Sequence, residues 1–567
     1  EQLVLAVARV PQAGCRPAGA AGEGEFCAST ADCERGLVCA TEGFGGRCTA
    51  PASDGDLGFP CDTLVDCAAG LVCGTDGTCV LAIATGGGPG FRLWGGVSCA
   101  TRDAANPTRF YFEVPRGPLA SGHDFFRLPW PNDARRTADG HLDLTDFPHP
   151  ATAGLPVDVL DRFLRAAEAE LTGFGTNGAI FFRSSNGIDW STLTGGGDDP
   201  TIYFVDLTPP ASPGDPHGRL GFGWAASTGG GRYLCPDWLA VRPPSGVPLL
   251  PSRSYAVVIT SGVVDGDGEA MARDPDFEAV LASARPTSDP ELGRAWDAYA
   301  PFRAFLANES IDPATILVAA AFTTQDVPAT LDAVRRTVEG MPAPAATDVV
   351  WCSASVTSPC DDGLTGTEHV RGCFGEDPAY AELQGRFRTP IFQEGTRPYA
   401  APADGGGFTW DAGGNPEMHG EEQICFALTV PTGGPMPAEG WPVVLYEHGT
   451  GGSYRSFVDN GVAQMLSGVT LADGSVQRFA VLSFDGPMHG ERRGASTGDP
   501  ALLFFNFANP AAAYGNVLQG VVDGWQATRL LGATSWGDTS SPTGAAISFD
   551  ATRTYFYGHS QGATHGI

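Results

Sequence analysis

The C-terminal part of the chain predicts an α/β fold, and three observations carry the prediction. From residue 423 onward, apolar strand-like runs alternate with helical stretches. The runs are continuously apolar, as in a parallel sheet buried on both faces. The last of them, Thr552 to Tyr557, passes directly into Gly558-His559-Ser560-Gln561-Gly562, which describes a sharp strand-to-helix turn that lifts a serine off the sheet. The predicted class is therefore an α/β sheet over 423–567, incomplete at its C-terminal end. It follows a leader remnant (1–23), two Cys-rich disulfide-stapled repeats (24–80), a β-rich domain (81–325) and a connector (326–422).

Composition narrows the function classes. With 567 residues the chain exceeds one ordinary domain. Its 34 basic and 65 acidic residues leave a net charge of −31, and every basic residue is Arg. Such a surface repels polyanions, so nucleic acid is set aside as a partner. The 77 glycines and 45 prolines imply short elements and many loops, and no apolar run is long enough to span a bilayer. Nine of the fifteen cysteines lie at or before Cys79, which argues for an oxidising compartment and a secreted or cell-surface protein. The opening Gln2-Leu-Val-Leu-Ala-Val-Ala resembles the tail of a signal segment. Gln12, three residues before Cys15, stands where a lipidation signal wants an aliphatic residue, which weakens a lipid anchor there.

Residues 24–80 repeat one pattern. Cys27, Cys33, Gly36-Leu-Val-Cys39 and Cys48 align with Cys61, Cys67, Gly70-Leu-Val-Cys73 and Cys79. Each unit is too short to bury a core and needs disulfides to hold it. A zinc site would need close cysteine pairs, and none occurs. An inert stalk fits these repeats better than an adhesive module.

The β-rich part has its clearest strands at 109–114, 201–207 and 254–260, with helices expected at 157–171, 276–284 and 294–306. Asp265-Gly-Asp-Gly-Glu269 begins like a calcium loop, but Ala270 and Met271 follow where Gly and the later ligands belong, so a tight polar turn is expected. No metal or cofactor is expected elsewhere. The segments Asp124-Phe-Phe-Arg-Leu-Pro-Trp-Pro-Asn-Asp133, Asp139-Gly-His-Leu-Asp-Leu144, Thr172-Gly-Phe-Gly-Thr176 and Ala320-Ala-Phe-Thr-Thr-Gln325 resemble landmarks of the bacterial virulence-factor lipases, a family of extracellular lipases and lysophospholipases. The resemblance implies an α/β-hydrolase domain after the β-rich one and acyl-lipid esters as substrates. Thr172 and Gly175 depart from the family pattern, and the Cys repeats lie outside it.

The connector holds a helical stretch at 329–339, a Pro/Ala-rich run and Cys352, Cys360 and Cys373, and is expected to carry its own disulfide. Spacing leaves open whether Cys99 pairs with Cys235 and which thiol Cys425 takes.

In the last part, the strand at 442–447 ends in His448-Gly-Thr-Gly-Gly452, two strands upstream of the serine. Acyl transfer needs two N–H groups aimed at a developing oxyanion, and a Gly-rich loop can approach closely enough to supply one. Ser560 is the expected nucleophile, with Gly558 and Gly562 permitting the turn. Gln561 supplies one donor and Thr450 or Gly451 the other. In so glycine-rich a chain GxSxG alone is weak, and a second match, Gly494-Ala-Ser496-Thr-Gly498, sits in a polar loop without a preceding strand. His448, Asp485 and His489 are expected to shape the pocket rather than react, and His565 to be structural. Hydrolases of this type carry their triad in the order Ser, Asp or Glu, His. Both partners of Ser560 are thus expected beyond Ile567, and the chain, which starts at Glu1 rather than Met, reads as a fragment that is inactive alone. The expected function is hydrolysis of a small-molecule or lipid ester, with peripheral association to a membrane or cell surface. A peptidase or amidase on the same scaffold, or a non-catalytic surface-binding protein, are the alternatives. Nothing in the sequence speaks to oligomeric state.

Overall fold

The computed structural model describes residues 96–566 apart from 103–104, 118–122, 149–157, 198, 213, 362, 364–370, 375, 534–535 and 537–545, together with five short strands between Phe26 and Leu81. The chain divides into two compact units, residues 1–98 with 148–156 and 231–233, and the remainder.

In the first unit, Val38–Glu42 and Gly45–Thr49 form a hairpin joined by Phe26–Cys27, and Leu71–Cys73 pairs with Cys79–Leu81. The hairpins place Cys39 opposite Cys48 and Cys73 opposite Cys79, so the duplicated sequence pattern gives equivalent registers. The leader and the disulfide connectivity of the repeats fall outside the described residues.

The second unit begins with a β-rich part. Ile316–Thr323, Ser254–Thr260, Ile202–Asp206 and Arg219–Leu220 form one antiparallel sheet, and Ile180–Arg183, Trp238–Arg242 and Gly223–Ser227 another. Phe110, Phe112, Phe182, Phe204, Tyr255 and Tyr299 belong to its buried core. The lipase-like landmarks act here as fasteners: Asp133 accepts from the Thr323 N–H and hydroxyl, Asn132 donates to the Tyr299 hydroxyl, and Arg183 pairs with Asp124 in the interior. Asp265 accepts the N–H groups of Asp267 and Glu269, which closes its loop as a turn.

Two local expectations change. Residues 109–114 are extended and buried but form only isolated bridges, to Ala272 and Ser184. Their N–H groups go instead to Arg183 O, Arg127 O and the Asp276 carboxylate, so tertiary partners replace a ladder. The helix expected at 294–306 is two, Pro290–Ala298 and Ala300–Asn308, because Pro301 has no N–H to continue the first.

The main sheet has six strands: β1 (Thr347–Trp351), β2 (Tyr380–Ile391), β3 (Gly420–Pro431), β4 (Trp441–Glu447), β5 (Ala480–Phe484) and β6 (Phe549–Gly558), in the order β1-β2-β3-β5-β4-β6. The sheet is mixed, not parallel throughout: β5, β4 and β6 run parallel, whereas β1, β2, β3 and β5 are joined by antiparallel pairings. The connector therefore does not end before the sheet starts, since it supplies β1 and β2. A long helix, α1 (Pro510–Ala533), packs against β2 and reaches β4 and β6. In this unit disulfides join Cys99 to Cys235, Cys352 to Cys373 and Cys360 to Cys425, the last tying the connector to β3.

Candidate active site

Strand pairing brings the two candidate segments together. β4 and β6 are parallel neighbours with Glu447 opposite Gly558, so the 448–452 loop and the Ser560 turn leave the same end of the sheet side by side. Gly449 lies against the serine: a Cβ added there would stand 3.2 Å from Ser560 Cβ.

Ser560 has φ +51°, in the left-handed region that L-residues avoid, and opens the short 3-10 helix Ser560–Thr564. Holding it there costs about 1–3 kcal/mol, a strain typical of functional turns. The flanking glycines explain how the turn closes. A Cβ on Gly558 would lie 2.7 Å from Ala563 N, and one on Gly562 would lie 2.2 Å from Glu447 O. Ser560 is exposed, and among the described residues none hydrogen-bonds its hydroxyl.

The N–H groups of Gln561 and Thr450 have no hydrogen-bond partner among the described residues. Thr450 Oγ1 donates to Gln561 Oε1 at 3.0 Å, tying the loop to the turn. Gly451, the other expected loop donor, is not free: its N–H is donated to His489 Nε2 at 3.0 Å. Of the two loop N–H groups expected as donors, that of Thr450 is the unpartnered one among the described residues.

His448, Asp485 and His489 are 3 %, 1 % and 1 % exposed, so they support the loops from behind instead of lining an open pocket. Asp485 accepts both terminal nitrogens of Arg371, at 2.9 and 2.5 Å, and the Tyr454 N–H at 3.0 Å. Burial opposes its charge, but the Arg371 guanidinium outweighs it and holds the carboxyl below the usual range. With both oxygens engaged in this way, Asp485 anchors Arg371 and the Tyr454 backbone. Burial pushes the His489 imidazole down to about 3, with the neighbouring His448 adding to the shift.

Other polar residues at the site carry no sequence motif. Arg492 donates to Asp523 at 2.7 Å, to Glu422 at 2.6 Å and to Asp485 O at 2.8 Å, bridging α1, β3 and the loop after β5. His565 places Nδ1 2.5 Å from Glu447 Oε2, while its Nε2 abuts α1 at Gly520 and is unpartnered. Both ring nitrogens are thus buried in the interior. The rival serine, Ser496, accepts the Gly498 N–H within a turn and is not preceded by a strand.

No family model matches this chain, and no curated protein matches it. Among solved structures, it is similar to a Bacteroides fragilis protein described as a putative acetyl xylan esterase, at 13 % identity and a TM-score of 0.21, over 42 % of this chain and 48 % of the other. The chain thus spans about half the length of that protein. Two structures of the surface-layer protein SbsC are also similar, at 9 % and 11 % identity and TM-scores of 0.14 and 0.13; each match covers 57 % of this chain, and 42 % and 41 % of the SbsC chains.

Proposed function

We propose that the protein is a serine hydrolase of α/β-hydrolase type that cleaves carboxylic esters through an acyl-enzyme. One observation carries the proposal: an exposed serine strained at φ +51° stands at the end of adjacent parallel strands, next to Gln561, whose N–H is unpartnered among the described residues, and beside the loop that holds the likewise unpartnered N–H of Thr450. Ser560 Oγ attacks the ester carbonyl as a base removes its proton, and the oxyanion forms against the two donors. The alcohol leaves with that proton, and water then attacks the acyl-enzyme to release the acid and restore the serine. The base is the part that none of the described neighbours of Ser560 supplies.

The lipase-like landmarks favour acyl-lipid esters as substrates. The disulfides of the second unit support a location outside the cytoplasm, and among the described residues no helix is long and apolar enough to cross a membrane. The unpartnered Ser560 hydroxyl favours a second reading, a binding protein that retains the scaffold without chemistry. A panel of p-nitrophenyl esters and peptide anilides, run on the full open-reading-frame product, decides. Ester turnover that is lost in Ser560→Ala supports the proposal, anilide turnover points to a peptidase, and inertness to both supports the binding protein.

A further inference from the structure

We infer that His448 and His489 form a reciprocal clasp between the two loops at the sheet end, and that this clasp positions Thr450 as the loop's oxyanion donor. The inference rests on acyl transfer at Ser560. His448, in the loop after β4, accepts the Gly486 N–H from the loop after β5 at 3.0 Å. His489, in the loop after β5, accepts the Gly451 N–H from the loop after β4 at 3.0 Å. An imidazole nitrogen that accepts an N–H carries no proton, so each ring is the neutral Nδ1–H tautomer. Each Nδ1–H is donated to the ring's own loop, to Gly449 O at 2.8 Å and to Pro487 O at 2.9 Å. The rings meet edge to face with centroids 4.7 Å apart. Neither loop can shift without breaking a bond to the other's imidazole.

The clasp has a chemical consequence. It turns the Gly451 N–H inward and leaves the adjacent Thr450 N–H free. The Thr450 hydroxyl, bonded to the Gln561 side chain, then fixes one oxyanion donor relative to the other. His448 is faced by Asp485, Arg371 and His565, and His489 by His448, Asp485 and Arg492. Burial dominates both environments and keeps the rings neutral, as acceptors must be. His489 and His448 are positioning residues in this scheme, since neither touches the reacting atoms.

Two readouts on the full open-reading-frame product test the clasp: steady-state kinetics on a p-nitrophenyl ester and hydrogen exchange at the Gly451 amide. His489→Leu is expected to lower kcat about 100-fold with little change in KM, the scale of losing one oxyanion donor, and to speed exchange at Gly451. His489→Gln, which keeps an acceptor, is expected to recover part of both. Unchanged kcat or unchanged Gly451 protection in His489→Leu overturns the clasp. If the Leu variant does not fold, His489→Gln decides: retained kcat with a protected amide supports the clasp, and a lost kcat with a protected amide overturns it. A wild-type product without turnover overturns the hydrolase proposal instead, a different failure because amide exchange needs no activity.

Discussion

At the scale of single residues, the site depends on atoms that have no room to move. Gly562 is the sharpest case, since a methyl there meets the Glu447 carbonyl, which belongs to a sheet strand and cannot yield. Gly562→Ala is expected to cost about 2–3 kcal/mol, in the range of overpacked sites, and to abolish activity; thermal denaturation checks the first and ester turnover the second. His489 gives a pH signature. The unfolded chain binds a proton there near pH 6.5, the folded chain only near 3. Below 6.5 the unfolded state therefore holds more protons, so stability is full above pH 6.5 and falls as pH drops toward 3, by at most about 4–5 kcal/mol. Urea midpoints at pH 7, 5 and 4 should show this fall, and His489→Gln should flatten it. The sharp strand-to-helix turn at Ser560 was legible in the sequence because a strand, a turn and a serine in immediate succession are a local signal. Arg371 was not: it meets Asp485 across 114 residues, and no spacing rule reaches that far.

At the scale of elements, continuous apolar runs located strands β3 to β6 but not their directions, because runs buried on both faces look alike in parallel and antiparallel pairings. β2 escaped notice because Gln384, Arg386, Arg388 and Thr389 interrupt its apolar pattern. Gln384 and Thr389 are nonetheless buried, bonded to the Gly372 carbonyl and the Asp523 carboxylate. Among the described residues β6 pairs only with β4, and Tyr555, Phe556 and Tyr557 are 42 %, 41 % and 39 % exposed along it. An apolar edge of this kind templates further pairing. The chain is expected to self-associate in sedimentation velocity, and Tyr555→Lys to reduce that association. A monodisperse monomer at high concentration would argue against this reading of the edge.

At the scale of the whole molecule, disulfides join parts that are distant in sequence. Cys99–Cys235 closes a loop of 136 residues and Cys352–Cys373 one of 21. Chain entropy assigns the long bridge about 5 kcal/mol and the short one about 3 kcal/mol. Reduction is therefore expected to lower the thermal midpoint, and Cys99→Ser with Cys235→Ser to lower it more than Cys352→Ser with Cys373→Ser; equal shifts would contradict the entropic ordering. The sequence showed that the Cys99–Cys235 pairing was available without deciding it, since only the folded β-rich part brings the two residues together. The most direct test of the whole scheme is fluorophosphonate labelling of the full open-reading-frame product, with the modified peptide mapped by mass spectrometry. The prediction is one label, on Ser560, absent in Ser560→Ala and accompanied by ester turnover. A product that stays unlabelled, or carries its label on Ser496, would contradict it.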